Sequence, residues 1–132
     1  MIRAEHVCFR HPHGFTLRDV CLEVRRGELF GIIGPNGSGK STLVRLLSGI
    51  DRPMSGSIRV NGRDVRSYSR KALSRLVAVL PQEPLPAVGF SVREVIGMGR
   101  YPYQNWLGRE KVDAGERVDA ILRELDLKEL EH

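Results

Sequence analysis

The stretch Gly34-Pro35-Asn36-Gly37-Ser38-Gly39-Lys40-Ser41-Thr42 decides how this chain is read. It fits the pattern G-x-x-x-x-G-K-[ST], a loop built to cradle phosphate. An apolar run, Leu29-Phe30-Gly31-Ile32-Ile33, leads into it and predicts a strand covered on both faces. Ser41 to Gly49 leads out and predicts a helix, with Leu43, Leu46 and Leu47 on one face and Gly49 at its end. Each residue type in the loop has a task. Gly34, Gly37 and Gly39 permit backbone angles closed to other residues and let main-chain N–H groups approach phosphate. Pro35, Asn36 and Ser38 fill the variable positions of the cradle. The helix start adds the positive end of its dipole. Lys40 places a cation between the β- and γ-phosphates, the Ser41 hydroxyl is a hard oxygen ligand for Mg²⁺, and Thr42 can donate to an α-phosphate oxygen. The order strand, loop, helix separates this motif from a chance glycine-rich turn before a helix. The loop alone leaves ATP and GTP open, and with them kinase, motor, GTPase and transporter.

Working outward, residues 2–10 read as a strand in which Val7 and Phe9 alternate with polar neighbours. His11-Pro12-His13-Gly14 reads as a turn, Phe15 to Val24 as a second strand, and Arg26-Gly27-Glu28 as a break. Ser57 to Val60 predicts a strand, and Asn61-Gly62 is a hairpin signal. Ser69 to Leu76 predicts a short helix, and Val77-Ala78-Val79-Leu80 a second fully apolar strand stopped by Pro81. Ser91-Val92-Arg93-Glu94 has the spacing of a capping box, so a helix is predicted from there to about Gly97–Gly99. The longest helix is predicted over 110–125, with Val112, Val118, Ile121, Leu122 and Leu125 on its apolar face.

The composition fits a folded domain. The chain has 132 residues, 41% hydrophobic and 28% charged, which excludes a disordered chain, a collagen-like chain and a disulfide scaffold. No apolar run approaches a membrane span. The start, Met1 to His6, lacks the apolar core of a signal peptide, so a cytosolic chain is expected, with any membrane link through a partner. Cys8 and Cys21 are too few and too far apart in sequence for a zinc site, and are expected to be small buried thiols. The net charge of +5 is split: residues 1–82 carry a net +8 and residues 83–132 a net −3. The basic half holds the phosphate loop. Its arginines stand mostly singly and without interleaved aromatics, so no nucleic-acid partner is expected. His6, His11 and His13 together read as solvated loop residues rather than a metal cluster.

The residues around the loop narrow the choice. Residues 34–43, Gly-Pro-Asn-Gly-Ser-Gly-Lys-Ser-Thr-Leu, resemble the Walker A motif of ABC-type ATPases in wording as well as spacing. Leu17 to Val24 with Gly27-Glu28 resemble that family's lead-in, and Ser48 to Ile58 with Asn61-Gly62 the stretch after its first helix. Val79-Leu80-Pro81-Gln82-Glu83 resembles the strand into the Q-loop, with Gln82 as its glutamine. The helix followed by Gly99-Arg100-Tyr101-Pro102-Tyr103 is similar to the ATPases of ferric-siderophore, haem and vitamin B12 importers. The resemblance covers essentially the whole chain.

The resemblance implies an α/β, P-loop NTPase fold of the ABC ATPase type, present in part: an antiparallel β subdomain with the start of a RecA-like core and of a helical subdomain. It implies one domain, with residues about 1–90 as β subdomain and core and about 91–132 as the start of the helical subdomain. The implied function is the ATP-binding subunit of an importer, coupling ATP binding and hydrolysis to uptake of an iron-siderophore, haem or cobalamin-like compound. Its cofactors would be ATP and Mg²⁺. Gln82 would reach the Mg²⁺ and the attacking water, its amide oxygen ligating or accepting while its NH₂ donates. His11 matches the position of the aromatic residue that stacks on adenine, with Phe9 as runner-up and the sheet core as the plainer place for Phe9. The implied partners are integral-membrane permease subunits, a second copy of the ATPase and, indirectly, an external substrate-binding protein. The location would be the cytoplasmic face of the membrane. Tyr101, Tyr103 and Trp106 hold three of the eight aromatics and stand either for a permease contact or for the small subdomain's own core. The family's signature, Walker B Asp, catalytic Glu and switch His are not found between Gln82 and His132. Two other readings therefore stay open: a nucleotide-binding module without hydrolysis, and an ABC-type ATPase that is not a transporter.

Overall fold

The computed structural model describes residues 1–11, 14, 16–82, 89–104 and 114–130. They fall into two units, Met1–Val79 and Leu80–His132. The first is organised by β1 (Ile2–Arg10), which pairs antiparallel with β2 (Thr16–Val24) on one side and β3 (Ser55–Val60) on the other. A short β4 (Arg63–Asp64) completes the order β2-β1-β3-β4. The Asn61-Gly62 signal holds: both residues have positive φ, 50° and 81°, as a tight primed turn between β3 and β4 requires.

The pairing of β1 is not uniform. Ala4 faces Leu22 and Ile58, but the register slips between Ala4 and Val7 on the β2 side and between Glu5 and Cys8 on the β3 side. His6 sits at the slip with φ 51°, and Asp19 across from it has φ 50°. Such bulges bend a strand and re-aim its side chains. Here the slip lets Ala4 and Val7, three residues apart, both enter the core.

Helix α1 (Lys40–Leu47) covers one face of this sheet. Leu43, Leu46 and Leu47 are buried together with Ala4, Val7, Ile58, Val60, Val65 and Leu73 in one cluster. Burying each such Leu contributes about 1.5–3 kcal/mol. A 3-10 turn at Val65–Ser67 and the one-turn helix α2 (Arg70–Leu73) close its far side. α2 starts where Ser69 Oγ accepts from the Ala72 amide, and it is shorter than predicted. The Leu76 and Val77 amides both turn back onto the Leu73 carbonyl.

Two predicted strands do not form. Leu29–Ile33 and Val77–Leu80 carry no ladder. Leu29, Ile33 and Leu80 are almost fully exposed. A parallel strand exists only through hydrogen bonds to neighbours on either side. Among the described residues no strand lies beside these two.

In the second unit, α3 (Val92–Met98) opens with the predicted capping box. Ser91 Oγ accepts from the Glu94 amide at 3.3 Å, and the Ser91 amide donates to Glu94 Oε2 at 2.8 Å. α4 (Ala114–Glu124) buries Val118 and Leu122, and Arg93 pairs with Asp119 between the two helices. Leu125, expected on the buried face, lies past the helix end and is exposed. Residues 110–113 of the predicted helix lie outside the described residues.

Two glycines distinguish conformational strain from steric exclusion. Gly56 has φ 84°, and a Cβ there would overlap the backbone carbonyl oxygens of Glu5 and His6. Gly62 has φ 81° with nothing within 4 Å. Gly62→Ala should therefore lose only about 1–2 kcal/mol, the left-handed strain. Gly56→Ala should lose more, because β3 must move away from β1. Denaturant midpoints of the two variants check this, and equal losses would refute it.

Candidate nucleotide-binding loop

The loop grows directly out of the packing of α1. Gly37 (φ 79°) and Gly39 (φ 91°) are in the left-handed region, so the chain folds back on itself between Pro35 and Lys40. The Ser38 amide closes the turn onto the Pro35 carbonyl at 3.2 Å. Gly39 caps α1 without a side chain, and the first turn holds no acid. The first amide in this turn used by the helix is that of Leu43, which donates to Gly39 O at 2.8 Å. The N–H groups ahead of it are the ones a helix start offers to an anion.

Lys40 reaches back over the loop. Its Nζ donates to the carbonyls of Gly34 at 2.8 Å and Pro35 at 2.9 Å. The cation is thus held at the loop's rim by neutral acceptors. Phosphate oxygens compete well against these, since they bring a full negative charge to the ammonium where the carbonyls bring none. Ser41 is exposed and Thr42 half-buried, one turn from the same rim.

The other end of α1 is clamped. Arg45 Nε and Nη2 donate to the two carboxylate oxygens of Asp51 at 2.7 and 2.9 Å. The Ile50 and Asp51 amides both donate to the Arg45 carbonyl. Gly49 (φ 74°) makes the reversal, with a Cβ position only 2.6 Å from Leu73 Cδ2. The Arg45 hydrogen bond is the main reason the Asp51 carboxyl is held below its ordinary range. Sequence reading missed this clamp, whose only signal is an Arg and an Asp either side of a helix-ending glycine.

The remaining predicted residues are placed as follows. His11 is exposed just past the end of β1, its carbonyl accepting from the Gly14 amide at 3.0 Å. Phe9 pairs with Leu17 and packs against the sheet core, the plainer place expected for it. Gln82 is exposed in the second unit, and Glu83 after it lies outside the described residues. Tyr101 and Tyr103 form an exposed 3-10 turn, with the Arg100 guanidinium 4.3 Å from the Tyr103 ring centre. Trp106 and His13 lie outside the described residues. The expectation of two buried thiols is corrected: Cys8 is half-buried and Cys21 exposed, both free. β2 is an edge strand, and Cys21 falls on its exposed alternation with Glu23.

Comparison with known proteins places this geometry. The sequence profile of the ABC transporter family matches residues 17–132. The uncharacterized ABC transporter ATP-binding protein YvrA of Bacillus subtilis is 41% identical over 89% of this chain and 26% of its own length. The hemin import ATP-binding protein HmuV of Pseudomonas entomophila is 36% identical over 96% of this chain and 48% of its own. The cobalamin import ATP-binding protein BtuD of Halobacterium salinarum is 43% identical over 71% of this chain and 24% of its own. A metal-chelate type ABC transporter solved in an inward-facing conformation superposes with a TM-score of 0.75 at 27% identity, over 98% of this chain and 47% of that one. The class is α/β, a P-loop NTPase fold of the ABC ATPase type, here an antiparallel β subdomain with the start of the RecA-like core and of the helical subdomain. The chain belongs to the ABC transporter family of ATP-binding proteins. It spans about a quarter to half the length of the curated relatives it matches.

The clamp carries a pH dependence of definite sign. The Asp51 carboxyl is lowered in the folded state, so its contribution is present above the unfolded carboxylate range and lost as pH falls through the folded value. Asp64, lowered by Arg66, and Glu94, lowered by the Ser91 amide, act in the same direction. Melting temperature should fall on acidification below that range, less steeply in Asp51→Asn than in the parent. Identical acid profiles for the two would refute the assignment.

Proposed function

We propose that this chain is the nucleotide-binding part of an ABC importer ATPase. The observation that carries the reading is the loop itself: left-handed glycines, a helix start without acid or side-chain cap, and Lys40 Nζ laid across the loop's carbonyls. These residues fit ATP with Mg²⁺. Lys40 leaves its carbonyls to neutralise the β- and γ-phosphates. The amides from Gly37 to Thr42 cradle the phosphate chain, together with Gly34, Pro35, Asn36 and Ser38. Ser41 would hold Mg²⁺, which when bound offsets the charge of the phosphates. Gln82 orients metal and water through its amide, and His11 offers an imidazole face to adenine. In domain terms, residues about 1–90 are β subdomain and core, and about 91–132 begin the helical subdomain.

In the whole protein, a second copy completes the site, and nucleotide binding and hydrolysis drive uptake of an iron-siderophore, haem or cobalamin-like substrate. The relatives that import hemin and cobalamin support this substrate range. The chain acts at the cytoplasmic side of the membrane through permease subunits, and only indirectly, by way of them, with an external substrate-binding protein. Among the described residues no helix is long and apolar enough to cross a membrane.

Lys40→Ala should weaken ATP binding about ten- to a hundredfold, the worth of one hydrogen bond between charged groups. Equilibrium binding of a fluorescent ATP analogue checks this, and an unchanged affinity would sink the reading. The exposed Tyr101 and Tyr103 are the proposed permease contact. Replacing both with Ala in the full-length protein should weaken permease binding at least tenfold, since buried aromatic anchors are each worth about 1–2 kcal/mol or more. Unchanged co-purification with the permease would assign them elsewhere.

A further inference from the structure

Away from the phosphate loop, three side chains of different chemistry converge at the bulged junction of β1 and β2. His6, Asp19 and Cys21 each present one ligand atom, and these atoms all lie within 4.8 Å of one another. His6 Nδ1 is 2.7 Å from Asp19 Oδ1. The His6 amide donates to Cys21 Sγ at 3.1 Å, which fixes the sulfur beside the imidazole. The sequence hides this group, because His6 lies 13 and 15 residues from Asp19 and Cys21 and meets them only through strand pairing.

The backbone is bent to make the meeting possible. His6 (φ 51°) and Asp19 (φ 50°) are both non-glycine residues in the left-handed region, facing each other where the β1–β2 register slips. A regular ladder would send alternate side chains to opposite faces. All three residues are exposed, so an ion reaches them without opening the core.

We propose that His6, Asp19 and Cys21 form a binding site for a Zn²⁺-class ion, with water as fourth ligand. The donor set matches the metal: imidazole nitrogen, carboxylate oxygen and thiolate sulfur are its three protein ligand types. Tetrahedral bonds of about 2.0–2.3 Å place ligand atoms about 3.3–3.8 Å apart. The Nδ1–Oδ1 pair, 2.7 Å apart, must open by about 0.6–0.8 Å to reach this spacing, and the other separations, none above 4.8 Å, close by about 1.3 Å at most, well within the reach of exposed side chains. His6 gives up its hydrogen bond to Asp19, Cys21 releases its thiol proton to water, and the ion joins β1 to β2. Such an ion is a clip on the first sheet, separate from the Mg²⁺ proposed at Ser41.

Co²⁺ is the probe, because a thiolate ligand gives it a charge-transfer band that oxygen ligands do not. The full-length protein is used without nucleotide or a histidine tag, in a non-chelating reductant, with Cys8→Ser to remove the second thiol at the bulge. A Co²⁺–thiolate band at one equivalent, displaced by Zn²⁺, is expected. Cys21→Ser should abolish it. His6→Asn and Asp19→Asn should each weaken Co²⁺ affinity by about tenfold or more, the low end of what even outer-shell partners contribute. Zn²⁺ should raise the melting temperature of the Cys8→Ser protein and not of its Cys21→Ser derivative. No thiolate band, a band that survives Cys21→Ser, or an affinity indifferent to His6→Asn would each overturn the site. If Cys21→Ser does not fold, the His6 and Asp19 variants decide alone.

Discussion

The structure depends on one constraint: the apolar face of the β1–β3 sheet must be covered, and α1 is the element that covers it. Leu46 and Val7 retain no exposed surface, and Ile58 retains 2%. A sheet with one apolar face is not stable bare. Because the glycine loop runs without interruption into α1, the packing that buries Leu43, Leu46 and Leu47 also fixes where the helix begins. One turn of slippage would carry the helix start about 5.4 Å from its place. The Arg45–Asp51 clamp holds the same helix from its other end. Position and direction of the phosphate loop are thus consequences of core packing.

Elements whose signals are local were legible in the sequence. The capping box at Ser91 and Glu94, the Asn61-Gly62 turn and the leucine face of α1 all formed as read. Each is decided within a few residues, by a hydroxyl reaching an amide or by a period of 3.6 residues. The apolar runs Leu29–Ile33 and Val77–Leu80 were not legible in this way. Their hydrophobicity says that they prefer burial; whether they become strands depends on neighbours far away in sequence. Leu125 failed for a related reason: the chain leaves the helix at Glu124, just before the period would have buried it.

The candidate site divides along the same line. Residues 34–42 are contiguous, and their chemistry follows from glycine conformations, one lysine and a helix start. The Arg45–Asp51 clamp needs the reversal at Gly49 to bring its partners together. The His6, Asp19 and Cys21 group needs two strands, a register slip and two left-handed residues. Phe9 shows the converse case, since simple alternation already pointed it to the core.

By itself the sequence determined that this chain carries a phosphate loop between an apolar run and an amphipathic helix, because nine adjacent residues hold all of that chemistry. Only the tertiary structure decided which apolar residues are covered, that Cys21 faces solvent, and that His6 and Asp19 stand beside it. The physical reason is that side-chain direction in a paired strand is set by register. Register in turn is set by core packing and by bulges that no local pattern in this chain announces.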